Sequence, residues 1–137
     1  MNERAELLRR SELFEELDEH ALGEVATQAT EYDVPAGTVL IEAGVPASGM
    51  FVLIAGEVIV ETHDGREHRL GAGQAVGELS LLANSVRTGR AQAATDVRAL
   101  AFDRRQFEAL LRAQPAVARA LLRVLACRLV EAHAGPR

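Results

Sequence analysis

Apolar residues recur at three- and four-residue intervals toward both ends of this chain and at shorter, glycine-punctuated intervals in its middle. Over residues 3–31 Leu13, Phe14, Leu17, Leu22, Val25 and Ala26 fall on one helical face, Ser11 can cap a turn or helix, and acidic side chains take the remaining positions. From Tyr32 the period changes. Val34–Gly37 predicts a turn, Val39–Ile41 a short strand, Glu42–Gly49 another turn, and Met50–Glu61 a longer β stretch broken at Ala55-Gly56. Within Thr62–Arg66 the Asp64-Gly65 pair supplies the positive φ values of a hairpin tip; Glu67–Leu70 returns, and Gly71-Ala72-Gly73 turns again. Gly89–Thr95 and Val97–Phe102 predict two further strands, the second alternating like a half-buried edge. Asp103 then caps a helix with Phe107, Leu110 and Leu111 as its stripe, and Pro115 opens a last helix over 116–133.

Many short strands separated by glycine turns point to a jelly-roll barrel or sandwich rather than a parallel α/β sheet. A length of 137 residues suits one domain. The expected organisation is a helical segment 1–31, a β-roll 32–102 and C-terminal helices 103–134. The expected fold class is mainly β, a jelly-roll β-barrel flanked by N-terminal and C-terminal helices, the last long and apolar-faced. In that helix Val117, Leu121, Val124, Leu125, Leu129 and Ala132 share a broad face that needs a cover, either the chain's own barrel or a second copy.

An apolar content of 48% excludes a disordered tail. No run approaches the roughly 20 continuous apolar residues of a membrane span, and the charged start MNERAELLRRSELFEEL is not a signal peptide. The lone Cys127 rules out an internal disulfide and fits a cytoplasmic location, buried or at an interface. The net charge of -5 is unevenly spread: residues 1–33 carry ten acids against three arginines, residues 98–137 eight arginines against three acids. The arginines at 112, 119, 123 and 128 are spaced for the exposed side of a helix and are read as solvated or subunit-facing rather than as a nucleic-acid face.

The chemistry concentrates in Leu70–Ala91. Gly77-Glu78-Leu79-Ser80 opens a short apolar segment whose backbone N–H groups, around Leu79 and Ser80, can face one anion; Arg87-Thr88-Gly89 follows a loop and can return a fork-shaped cationic donor to it. Glu78 would repel a phosphate unless it points away and accepts from a neutral hydroxyl, such as that of a sugar. The set suits a ligand carrying an anion and a hydroxyl a few ångströms apart, and a ribose phosphate fits.

Gly77-Glu78-Leu79 followed by Arg87-Thr88-Gly89, with the upstream run Val34–Glu61 and the tail Thr95–Pro115, resembles the cyclic nucleotide-binding domain family in order across nearly the whole chain. The resemblance implies a non-catalytic sensor for cyclic AMP or cyclic GMP: phosphate on Arg87 and the cassette amides, ribose on Glu78, and Thr88 on the phosphate or, as in members that favour guanine, on the base. The last helix supplies base contacts in many members; here Cys127–His133 holds neither Ser nor Thr, and Arg128 and His133 are the candidates. Three other departures stand out: Ala75-Val76 where bulkier residues are usual, Val86 before the arginine, and Gly89 in place of alanine, which implies a looser arginine loop. Family members that regulate transcription continue into a helix-turn-helix domain; this chain stops at Arg137, so no direct DNA binding is expected of it, and a homodimer through 116–133 is the expected protein partner.

Two other readings compete. A domain of this fold could serve as a dimerisation module without nucleotide. A metal-dependent barrel enzyme would need about three converging ligands, whereas His20, His63, His68 and His133 are dispersed and His63 and His68 flank the hairpin tip. No metal site is expected, and no Walker A pattern or G-x-S-x-G elbow is present.

Overall fold

The computed structural model describes residues 3–62, 64–83, 87 and 89–133; of these, the side chains of 79, 82, 128 and 131–133 lie outside the description. The N-terminal helical segment divides into α1 (Glu3–Arg9) and α2 (Glu19–Gln28). Between them residues 10–17 form turns, with Ser11 Oγ accepting from Leu13 N–H rather than starting a helix. Asp18 is the cap of α2, its carboxylate accepting from Ala21 N–H at 2.8 Å. Eight strands follow: β1 (Thr30–Val34), β2 (Val39–Ile41), β3 (Gly49–Ala55), β4 (Val58–Glu61), β5 (Glu67–Leu70), β6 (Ala75–Val76), then, after the short helix α3 (Glu78–Leu82), β7 (Arg90–Ala93) and β8 (Val97–Asp103). The chain closes with α4 (Arg104–Ala113), started by an Asp103/Gln106 capping box, and α5 (Pro115–His133).

These strands do not close into a barrel. They form two four-stranded antiparallel sheets, ordered β1-β8-β3-β6 and β2-β7-β4-β5, and the helices hold more residues than the strands. The mainly β, jelly-roll barrel expectation is therefore corrected to a mixed fold of two open sheets flanked by helices. Closure would require β1 to hydrogen-bond β2 and β6 to bond β5. Instead β2 is three residues long with a register shift against β7, and β6 has two residues, too few to carry a ladder on both sides. Glycine spacing in the sequence marks where strands end, not which edges pair.

Sheet faces divide the core in two. Met50, Val52 and Ile54 of β3 and Leu100 and Phe102 of β8 meet the helices through Phe14, Leu22, Phe107, Leu110, Val117 and Leu121. The opposite face, Leu53 of β3 with Val97 and Ala99 of β8, meets Val58, Ala91 and Ala93 of the second sheet. The period of two in each strand sorts residues between these cores. Along the last helix Val117, Ala120 and Leu121 are buried, whereas Leu122, Leu129 and Val130 are 60–67% exposed, so the chain's own core covers only part of its apolar surface. Among the described residues no helix is long and apolar enough to cross a membrane.

The charge asymmetry of the sequence has a partly internal cause. Glu16, in the turn before α2, pairs with Arg123 of α5 at 2.7 Å, and Glu31 of β1 pairs with Arg98 of β8 at the same distance. The Arg123 hydrogen bond, then its charge, holds the Glu16 carboxyl below its ordinary value of 4.5. A depressed folded-state pKa adds stability above 4.5 that is lost as pH falls through the folded value.

Two outcomes test this packing. Phe102 is 1% exposed with its ring 6.3 Å from Phe14, and Phe102→Ala will cost about 3–5 kcal/mol in denaturant unfolding. Glu16→Gln will lower the melting temperature at neutral pH, and the difference from the parent will shrink as pH falls below 4.5.

Candidate functional site

Between β6 and β7 the described residues 77–83, 87 and 89 include one buried arginine. Gly77, at φ +90°, turns the chain from β6 into α3; a Cβ there would stand 2.8 Å from Arg87 Nη1 and 2.9 Å from Ile41 Cδ1. Glycine is required on two counts, the left-handed backbone and the guanidinium packed against it. Arg87 Nη1 donates to Gly77 O at 2.6 Å, and Nη2 donates to Gly49 O at the start of β3. The Arg87 backbone is pinned as well, its N–H to Val45 O and its carbonyl accepting from Gly44 N–H, each at 2.8 Å.

Arg87 is 7% exposed and Glu78, the first residue of α3, is 4% exposed. Burial pulls the Arg87 pKa below its ordinary value; the Glu78 carboxylate opposes that shift and the charge of Arg104 adds to it. Carbonyl oxygens solvate a guanidinium without neutralising it, and burial here outweighs the support of Glu78. The arrangement is a buried cationic centre with a carboxylate beside it.

Both residues, with Gly77 and Ser80, line one side of a cavity of about 250 Å³. The opposite wall comes from the second sheet and its neighbours, through Ile41, Val60, Thr62, Leu70 and Ala91, with Ala75 and Val76 of β6 at the back. Apart from Ala75 and Val76, these wall residues did not stand out in the sequence. The β4–β5 and β4–β7 pairings bring them together, setting Val58 against Leu70 and Val60 against Ala91. Alternation in Val58-Ile59-Val60 is the one local hint.

Gly89 also lines the cavity, and a Cβ on it would meet Glu61 O at 2.6 Å. The glycine there allows the chain to approach the β4 backbone closely; the looser loop expected before it falls on residues 84–86 and 88, outside the described residues. Thr88 lies outside the described residues, as do the side chains of Leu79, Arg128 and His133. The described residues of α5 contribute nothing to the cavity lining. Cys127 is exposed, so the buried alternative for it falls. No group of three or more His, Cys, Asp or Glu residues is arranged for a metal among the described residues; His63 lies outside them and His68 is exposed on β5.

A larger cavity, about 420 Å³, opens near β1 and β2 beside Tyr32, Val39, Phe51 and Ala101. Its strongest polar groups are already engaged: Asp103 and Gln106 satisfy each other in the α4 cap, and Gln106 also donates to Gln28 O. The smaller cavity holds the buried charges, and size alone does not rank the two.

The chain is 33% identical over 129 residues to the CRP-like cAMP-activated global transcriptional regulator of Mycobacterium tuberculosis, a match covering 90% of the chain and 58% of that protein. The crystal structure of Thermus thermophilus catabolite activator protein superposes with a TM-score of 0.82 at 32% identity, over 90% of this chain and 60% of that one. The N-terminal domain of a transcriptional regulator from Streptomyces coelicolor A3(2) superposes at 0.73 with 34% identity, over 96% and 98%. This chain thus spans about three fifths of the first two proteins and nearly all of the third, an N-terminal domain by its own description. Residues 32–114, which run from β1 to the end of α4 and contain the whole Arg87 site, match the cyclic nucleotide-binding domain, and the chain belongs to that family.

Proposed function

We propose that this chain is a non-catalytic receptor domain for a cyclic nucleotide, cyclic AMP or cyclic GMP. The observation that carries the reading is Arg87: a guanidinium 7% exposed, on the wall of a 250 Å³ cavity, its charge more penalised by burial than supported by Glu78. A cyclic phosphate seated against it supplies the missing negative charge in a low-dielectric site, where the pairing is strongest. Glu78 accepts from the ribose hydroxyl, and the amides of Leu79 and Ser80 with the Thr88 hydroxyl complete the phosphate cradle. The apolar wall of Val60, Leu70 and Ala91 receives the rest of the ligand.

Because the described residues of α5 supply no lining here, closure over the base falls to Arg128 and His133 or to a movement of the helix. Ligand that favours a closed position of α5, with Arg128 or His133 on the base, turns occupancy into helix position. The exposed Leu122, Leu129 and Val130 suit a second copy of the chain packing along 116–133. The Mycobacterium relative carries the name of a cAMP-activated regulator, which favours cyclic AMP as the first ligand to try.

Isothermal calorimetry with both nucleotides decides the matter. The parent protein will release heat with at least one, and Arg87→Ala will weaken binding by about thirtyfold or more, roughly 2 kcal/mol. Absence of heat with either nucleotide up to about millimolar concentrations, an affinity worth only ~4 kcal/mol, would sink the reading. Gly77→Ala will lose affinity alongside Arg87→Ala although it removes no ligand contact, because its methyl group occupies the place of Arg87 Nη1. Sedimentation will report a dimer, and Leu129→Glu will shift it toward monomer.

A further inference from the structure

Arg104 opens α4 directly after the Asp103 cap, and nothing in the sequence distinguishes it from the arginine that follows. Its side chain reaches out of its own helix. Nη1 donates to Leu81 O near the end of α3 at 3.2 Å, and Nη2 donates to Ala47 O at 2.8 Å. Its backbone N–H donates to Ser48 O at 2.9 Å. Two other carbonyls of the same stretch, Val45 O and Gly49 O, serve Arg87. One short loop therefore anchors both arginines.

The two guanidinium groups also hold α3 at opposite ends, Arg87 on Gly77 O and Arg104 on Leu81 O. A five-residue helix pinned this way moves as a body. Leu81 O belongs to the set of helix-end carbonyls with no partner inside the helix, which a planar fork can satisfy while gripping a second acceptor. Leu81 is itself buried in the core that contains Phe107 and Leu110 of α4.

We infer that Arg104 is the positioning residue that links the state of the anion site to α4. The inference rests on the nucleotide reading of that site. An anion that draws Arg87 and the α3 amides shifts α3; Leu81 O carries Arg104 with it, and the first turn of α4 follows. α4 passes the displacement on to α5 across Pro115. Arg104 touches no part of the cavity lining, so its role is separable from binding. Its charge nevertheless reaches Arg87, so a lysine at 104 preserves the field and loses the two-carbonyl grip.

Hydrogen–deuterium exchange with and without cyclic AMP and cyclic GMP tests this, on the parent, Arg104→Lys, Arg104→Gln and, as a control, Arg105→Lys. In the parent, nucleotide will slow exchange both at 77–82 and at 104–113. Arg104→Lys will bind within about threefold of the parent by calorimetry, a coupling change of under ~1 kcal/mol, and protect 77–82 as before. Its nucleotide-dependent protection at 104–113 will fall to roughly a third or less. Arg104→Gln will show the same separation with somewhat weaker binding, and Arg105→Lys will match the parent. Full protection of 104–113 in Arg104→Lys overturns the inference, as does a loss of affinity as deep as that of Arg87→Ala. Protection of 77–82 without 104–113 in the parent overturns it while leaving the nucleotide reading intact. Protection of neither segment, with no heat, removes both.

Discussion

A charge taken out of water has to be answered by its surroundings, and the Arg87 guanidinium sets that constraint for this fold. Two backbone carbonyls, from Gly77 and Gly49, accept from it, and these belong to different parts of the chain, the entrance to α3 and the first residue of β3. The consequences spread outward. Gly77 must be glycine, the loop before β3 must present its carbonyls inward, and α3 must begin where it does. Hydrogen bonds to a charged group are worth about 1.5–3 kcal/mol each, so this one side chain organises more local structure than any single apolar contact in the second sheet.

The cost of the arrangement is borne by the site itself. Burial lowers the Arg87 pKa despite Glu78, and Arg104 lowers it further. A protein selected only for stability would replace such a group with a packed aliphatic residue. The buried arginine lies within residues 32–114, the part of the chain that matches the cyclic nucleotide-binding domain.

Features governed by neighbours along the chain were legible in the sequence. Asp103 caps a helix, Asp64-Gly65 turns a hairpin between paired strands, and Gly77 turns the chain from β6 into α3, because each depends on a few consecutive residues. Features governed by partners distant in sequence were not. That β1 pairs β8 and not β2, leaving both sheets open, follows from ladder lengths no local pattern encodes. Thr62, Leu70 and Ala91 meet at the cavity only through the β4–β5 and β4–β7 registers, and Arg104 reaches Leu81 across 23 positions of sequence. The N-terminal acids and C-terminal arginines looked like separate surfaces until Glu16 and Arg123 were found in contact. The break between α1 and α2 leaves little mark on the sequence beyond Ser11, because the apolar period of three and four persists through Leu13, Phe14 and Leu17, which the turns also bury.

Strand β3 runs between the two cores. Met50, Val52 and Ile54 face the helices, while Phe51 and Leu53 face the inter-sheet core that continues into the cavity wall at Ile41 and Val76. Consecutive codons of one strand therefore write to two different properties of the molecule. A change at the odd positions alters the packing between the two sheets, and a change at the even positions alters the bed on which the helices lie. The two packings can therefore be altered separately, by substitutions one residue apart.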